Sequence, residues 1–310
     1  MGVQTSDELI HQLARLQHGV LSLGQARAVG LSKDDVRTRV RRGQYRRLWR
    51  GVIWVDAELA DEPPWESRAA GALLFCGPRA LLGLSSATRA LAISGADQSD
   101  RSIDILLPRG SERHQVPGIT LHFWDVPRHR RVTVGALRCS DPVQTLGDLV
   151  PRLSRNSAVS VLDSALNKGL VQPSDLALAQ DIAAGRPGCE MARTWWRMAD
   201  RRAQSPLETW VRLDCVDGGV APDELQFPVH DRHGRVIGYG DMAWVKGRRR
   251  PLVGEADGAG VHSRPGALFS DRHRANAFVA QGADIIRFTW QDARHRGRCA
   301  AMARQVLRGT

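Results

Sequence analysis

Three acidic side chains in the last third of the sequence are spaced so that they can do chemistry together. Glu255 and Asp257 lie two residues apart in PLVGEADGAGVH, which reads as a strand, and the alternation of a strand sends both to one face. Asp241 lies in RVIGYGDMAWV, a second Gly-punctuated strand, whose end can bring a third carboxylate alongside. Three clustered carboxylates repel one another unless a cation lies among them. Oxygen-only ligands favour Mg2+ or Mn2+ over zinc, and such an ion acidifies bound water and offsets charge on a phosphodiester under in-line attack. Asp241 and Glu255 are therefore the expected metal ligands. Glu208 occupies the first turn of a helix that Ser205 caps and Pro206 opens in SPLETWVRLDCV.

A fourth piece, SDRHRANAFVAQGADIIRFTW, reads as a Ser270-capped helix stopped by Gly282 and followed by a strand. The resulting order is helix, strand, strand, helix, strand. With the motifs SPLET, GDMAW, EADG followed by His262, DRHR and IIRFTW, residues of about 203 to 293 resemble the PD-(D/E)XK nuclease superfamily, nearest its very-short-patch-repair branch. The resemblance implies a restriction-endonuclease-like three-layer α/β core, a divalent metal and hydrolysis of DNA phosphodiesters. It assigns Asp241 and Glu255 to the metal and Glu208 to support of the metal or its water, and it puts Asp257 where the superfamily usually has Lys. That departure leaves the general base open. The very-short-patch branch often carries an Asp-Gly-then-His arrangement here, and the near-neutral imidazole of His262 can take a proton from water or steady the leaving group. Arg274 and Arg287, with Asp271, border the expected phosphate site, where a guanidinium stabilises developing negative charge. A helix-surface ion pair accounts equally well for Asp271 and Arg274. The competing account of the whole carboxylate set is turn and cap residues on a scaffold that keeps a nuclease shape without cleaving.

The N-terminal segment reads as three short helices and a hairpin. Leu9, Ile10, Leu13 and Leu16 recur at helical spacing, and Ser22 with Gln25 and Ser32 with Asp35 are capping-box patterns opening the second and third helices. Gly19, Gly30 and Gly43 punctuate them, and YRRLWRGVIWV then folds back at Arg50-Gly51. This is a helix-turn-helix with a wing. Arg37, Arg39, Arg41, Arg42, Arg46, Arg47 and Arg50 form the densest basic cluster of the chain, suited to DNA phosphates and guanine edges. A solvated arginine face on a protein-binding winged helix is the alternative. Over roughly residues 7 to 55 the pattern resembles the N-terminal domain of abortive-infection type IV antitoxins, which implies DNA binding near promoters and says nothing of cleavage.

Between these ends, DEPPWE at residues 61–66 reads as a linker, SIDILLP and GITLHFW as strands, and the segments around 142–183 as three capped helices. This connector also resembles the antitoxin family, and its expected duty is orientation or protein binding. His114, His122 and His129 are too dispersed for a metal site, and Asp104, Asp141, Asp148 and Asp163 read as caps or solvated residues. The formal net charge of +11 over 310 residues suits a polyanionic partner, although an Arg-rich proteome produces such an excess as solubility charge too. Five scattered cysteines without CxxC spacing indicate reduced thiols, and no apolar run approaches membrane-spanning length. A cytoplasmic protein without membrane contact is expected, with no indication of oligomeric state.

The expected architecture is multi-domain α/β: a winged helix over 1–58, an α/β connector over 59–202 and a nuclease-like three-layer domain over 203–310. The expected function is DNA binding coupled to Mg2+- or Mn2+-dependent cleavage, in defence or repair. A non-cleaving regulator or antitoxin is the rival, and RNA is a second candidate substrate because phosphate and metal are common to both nucleic acids.

Overall fold

The computed structural model describes residues 6–57, 60–97, 101–258 and 275–308. The fold is mixed α/β with three sheets, and the chain divides into two compact units. The first comprises Met1–Ile93, Asp97–Leu149 and Asp181–Ala183; the second comprises Ser94–Ala96, Val150–Gln180 and Ala184–Thr310. Much of the helical part of the expected connector thus belongs with the C-terminal unit.

The first unit opens with α1 (Ser6–Arg15), β1 (Val20–Ser22), α2 (Leu23–Ala28), α3 (Lys33–Arg41), β2 (Arg46–Trp49) and β3 (Val52–Trp54). Both capping boxes form: Ser22 and Gln25 exchange hydrogen bonds at the start of α2, and Ser32 and Asp35 do so at α3. The strands make an antiparallel sheet in the order β1-β3-β2. Alternation divides its side chains. Leu21 and Ile53 join Ile10, Ala26, Leu31 and Val36 under the helices, whereas Val20 and Trp54 pack with Ala69, Ala72 and Leu73 of α4 (Trp65–Cys76). A side-chain carbon added at Gly71 of α4 would stand 2.9 Å from a Leu48 methyl, so the hairpin can approach the helix only over glycine. A cut at residue 58 therefore runs through a continuous core.

The rest of this unit is built on a five-stranded mixed sheet, ordered β6-β5-β4-β8-β7, from β4 (Leu81–Leu82), β5 (Ile103–Leu107), β6 (Ile119–Phe123), β7 (Arg131–Val134) and β8 (Leu137–Ser140). Helices α5 (Leu84–Ala90) and α6 (Pro142–Leu149) accompany it. The expected strands are β5 and β6. Three of the aspartates depart from a purely solvated role. Asp148 is fully buried and accepts hydrogen bonds from Trp124 Nε1 at 3.2 Å and Gln144 Nε2 at 2.9 Å. Asp104 pairs with His122 at 2.9 Å, and Asp141 both caps α6 through the Gln144 amide and pairs with Arg130.

The second unit carries α7 (Arg155–Asn167), α8 (Asp175–Ala183, shared with the first unit), α9 (Cys189–Ala192) and α10 (Pro206–Asp217). A four-stranded sheet follows, made of β9 (Glu224–His230), β10 (Val236–Trp244), β11 (Leu252–Asp257) and β12 (Asp284–Thr289) in the order β12-β11-β10-β9. The first three strands form an antiparallel meander, whereas β12 lies parallel to β11 after a helical segment at 275–280. Helices α11 (Trp290–Ala293) and α12 (Arg298–Arg308) close the chain. One sheet face buries Leu225, Met242, Trp244, Leu252 and Phe288 against Leu207, Val211 and Cys215 of α10. The other packs Val229 and Val253 against Phe278.

Helix α10 is held by a buried charge. Asp163 of α7 is fully buried and accepts from Thr209 Oγ1 at 2.7 Å, Arg212 Nη2 at 2.8 Å and the Asp200 amide at 2.6 Å. Burial raises its pKa, and Arg212 with the hydrogen bonds opposes that rise. The pair is a positioning device, since removing one partner leaves the other charge buried without compensation. Asp163→Ala is expected to lower the unfolding free energy by about 3–5 kcal/mol in urea titration. Asp163→Ala combined with Arg212→Met is expected to recover part of that loss, and a double variant as unstable as the sum of the single ones contradicts the pairing.

Candidate functional site

The register of the four-stranded sheet builds the site. On β9 and β10 the pairs Leu225–Met242 and Phe227–Gly240 bracket Gln226 and Asp241. One step beyond the pair Met242–Gly254 come Asp241 and Glu255 on β10 and β11. Glu255 is itself paired with Arg287 across the parallel β11–β12 ladder. Gln226, Asp241, Glu255 and Arg287 thus make a row of polar positions, one on each strand, and Asp257 follows two residues after Glu255 on its face.

Glycines make room beside this row. An added side-chain carbon at Gly254, next to Glu255, would lie 2.7 Å from Met242 Cγ and 3.2 Å from Phe288 Cε2. At Gly240, next to Asp241, it would collide with Val253. Each acidic residue follows a position where the adjoining strand or core leaves no space for a side chain.

Glu208 reaches the row from α10. Ser205 Oγ accepts from the Glu208 amide at 3.2 Å, the helix cap expected from SPLET. The carboxylate then accepts from the Gln204 amide at 2.9 Å and from Gln226 Nε2 at 3.1 Å. Glu208 is 6% exposed. Burial, and secondarily the negative charge of Asp241, push its pKa up to about 7 against the pull of Gln204, Ser205 and Gln226.

The other carboxylates are held as well. Asp241 Oδ2 accepts from the Ala256 amide at 2.7 Å, which ties its side chain to the neighbouring strand. Glu255 is 3% exposed, and its Oε2 lies 3.5 Å from Arg287 Nη2, while Arg287 Nη1 lies 3.3 Å from Asp257 Oδ2. Among the described residues no group of three or more His, Cys, Asp or Glu side chains is set to hold a metal ion as it stands. Carboxylate oxygens are the donors a hard divalent cation prefers, and beside Glu255 and Asp257 the positive charge is supplied by the Arg287 guanidinium.

Of the expected site residues, Glu208 lies near Asp241, whose side chain is held by the Ala256 amide, and Arg287 is paired with Glu255 and Asp257. His262, Asp271 and Arg274 lie outside the described residues. Gln226 is a site residue that the sequence reading lacked. Its strand, ELQFPVH, carries a proline and a left-handed residue, Gln226 itself at φ 53°, and shows no alternation. Pro228 is tolerated because β9 is an edge strand.

The arginine cluster of the first unit resolves into two groups. Arg39 pairs with Asp7 at 2.6 Å and donates to Tyr45 Oη at 2.8 Å, and Arg46 stacks over Trp54 and donates to the Asp61 carbonyl. These two serve the fold as well as its surface. Arg37, Arg41, Arg42, Arg47 and Arg50 are exposed, and Lys33, Arg37 and Arg41 recur every fourth residue along the exposed side of α3. Four of the five cysteines, Cys76, Cys139, Cys215 and Cys299, are buried, and all five are free. Burial pushes the Cys76 thiol up to about 11 and that of Cys139 to about 12, so neither is a nucleophile at neutral pH.

No family model matches the chain. Two uncharacterized proteins of Mycobacterium tuberculosis, MT2308 of strain CDC 1551 / Oshkosh and Rv2248 of strain H37Rv, are each 29% identical to it over 272 residues. The similarity covers 87% of this chain and 95% of each relative. Among solved structures, the crystal structure of the RV2827C protein from Mycobacterium tuberculosis matches 63% of this chain and 81% of its own, at 16% identity and a TM-score of 0.36. Among the described residues no helix is long and apolar enough to cross a membrane.

The raised pKa of Glu208 has a defined consequence for stability. A carboxyl whose folded pKa, about 7, exceeds the ordinary 4.5 contributes stability in full below pH 4.5 and loses it as pH rises through 7. Glu208→Gln keeps an acceptor for the Gln204 amide and removes the charge. In chelator-treated protein, urea unfolding is expected to show the variant gaining on wild type between pH 5 and pH 8; equal pH profiles exclude the assignment.

Proposed function

We propose that the chain is a metal-dependent DNA endonuclease, with a winged helix in the first unit that binds duplex DNA and a PD-(D/E)XK-type core in the second that cleaves it. One observation carries the proposal: Asp241 on β10 accepts from the Ala256 amide, the residue after Glu255 on β11, and the acidic Glu208 of α10 is close enough to feel the charge of Asp241. The order α10, β9, β10, β11, helical segment, β12, with a meander of three strands and a parallel fourth, supports the same reading.

In this reading Asp241 and Glu255 hold Mg2+ or Mn2+, which when bound acidifies water and offsets charge on the phosphodiester. Gln226 and the Gln204 amide orient Glu208 toward the site. Arg287 supplies a guanidinium for the phosphate oxygens. The chemistry selects a phosphodiester, and the exposed Lys33, Arg37 and Arg41 stripe with the Arg47–Arg50 hairpin selects duplex DNA over RNA, since a helix of this kind suits the wide major groove.

The rival is a non-cleaving regulator on the same scaffold. It is favoured by the protein donors already engaging Asp241 and Glu208 and by Arg287 beside Glu255. Incubation of the full chain with plasmid, linear DNA and single-stranded RNA, with and without Mg2+ or Mn2+, separates the two. The expected result is divalent-dependent nicking or cutting of DNA that Glu255→Ala abolishes while circular dichroism and DNA binding are retained. Cleavage unchanged in Glu255→Ala, or none with any metal, replaces the nuclease with the regulator.

DNA binding by the first unit is tested apart from cleavage. Replacing Arg37 and Arg41 by Ala in the full chain is expected to reduce the slope of log affinity against log salt by about two, near 0.9 per lost phosphate contact. An unchanged slope removes α3 from the interface.

A further inference from the structure

We propose that Arg287 is the resident counter-ion of the carboxylate site and is displaced from it when a divalent cation binds, so that occupancy of the site by metal is what frees the guanidinium for phosphate. The inference rests on the nuclease reading and deepens it. Its basis is the sheet register. The parallel ladder fixes Arg287 beside Glu255, and alternation puts Asp257 on the same face two residues on. The guanidinium then divides its fork, with Nη2 at 3.5 Å from Glu255 and Nη1 at 3.3 Å from Asp257. It sits between Asp257 and Glu255, so it already supplies positive charge to one of the two proposed metal ligands.

Burial makes the exchange directional. The Glu255 side chain is only 4% exposed, so water screens its charge poorly and a cation from elsewhere is required. The Arg287 side chain is 43% exposed and Asp257 44%, so the guanidinium has a solvent side to move toward. Neither contact is a short bidentate pair, and partly exposed ion pairs of this kind are weak enough to be exchanged. A doubly charged ion gains more from two carboxylates than a single guanidinium does, which favours displacement by divalent over monovalent cations. After displacement Arg287 still stands on β12 at the level of Glu255, where an incoming phosphate needs a fork of donors. The same side chain thus suppresses charge repulsion before metal binds and meets the anion afterwards.

The exchange predicts an effect on affinity of the opposite sign to that of losing a ligand. Mn2+ is titrated by calorimetry into full-length wild type, Arg287→Ala, Arg287→Gln, Arg287→Lys and Glu255→Ala without DNA, and circular dichroism checks each fold. Arg287→Ala and Arg287→Gln are expected to bind Mn2+ about fivefold more tightly than wild type, the scale of one partly exposed ion pair, with Arg287→Lys near wild type and Glu255→Ala binding none. Binding by Arg287→Ala with no measurable binding by wild type supports the proposal in its strongest form. Wild-type affinity unchanged or weakened in both neutral variants overturns the counter-ion role alone. Absence of Mn2+ binding in wild type and both neutral variants overturns it together with the nuclease reading.

Discussion

The second unit is organised by the cost of placing acidic groups together where water is scarce. Glu208 and Glu255 are both nearly inaccessible, and Asp241 lies close to Glu208. Such a set has unfavourable mutual repulsion and desolvation unless amides, protons or cations offset it. Each carboxylate has a different remedy. Asp241 takes the Ala256 amide, Glu208 takes two hydrogen bonds to one oxygen together with a raised pKa, and Glu255 takes a guanidinium across the parallel ladder. The remainder of the unit holds these remedies in register.

The scaffold behind the site uses the same physics deeper in the protein. Asp163 is more completely enclosed than Glu208 and is satisfied by Arg212, Thr209 and a backbone amide. Because Thr209 and Arg212 belong to the helix that carries Glu208, this ion pair fixes how α10 meets α7. At the other end of α10, Asp214 accepts from the Gly297 and Ala300 amides at the start of α12. The helix bearing Glu208 is tied at several points, so its first turn is a rigid platform. Rigid support is what a site assembled from separate strands and a helix requires.

Much of this was legible in the sequence, and the gaps have physical causes. The three caps at Ser22, Ser32 and Ser205 were readable because a capping residue and its partner are three residues apart in the chain. The Glu255-x-Asp257 pair was readable because strand alternation is local. Strand β9 was missed because Pro228 and the left-handed Gln226 hide an edge strand, and with it went Gln226 as a partner of Glu208. The strands β7 and β8 were too short to stand out. Asp148 and Asp163 read as caps or solvated residues because their partners, Trp124 and Arg212, are 24 and 49 residues away, and no local pattern announces a buried charge. The first unit shows the same limit. Its helices and hairpin were legible, but Val20 and Trp54 share a core with α4, and that continuity across residue 58 depends on tertiary packing over Gly71.

Binding of a divalent ion by Asp241 and Glu255 is the proposal on which the nuclease reading depends. It is tested most directly by crystals of the full chain grown with Mn2+, with an anomalous difference map calculated at the manganese edge. The account predicts a single strong peak within coordination distance of Asp241 and Glu255 carboxylate oxygens, about 2.0–2.3 Å. A manganese peak bound elsewhere, with those two carboxylates still engaged by the Ala256 amide and Arg287, would contradict it.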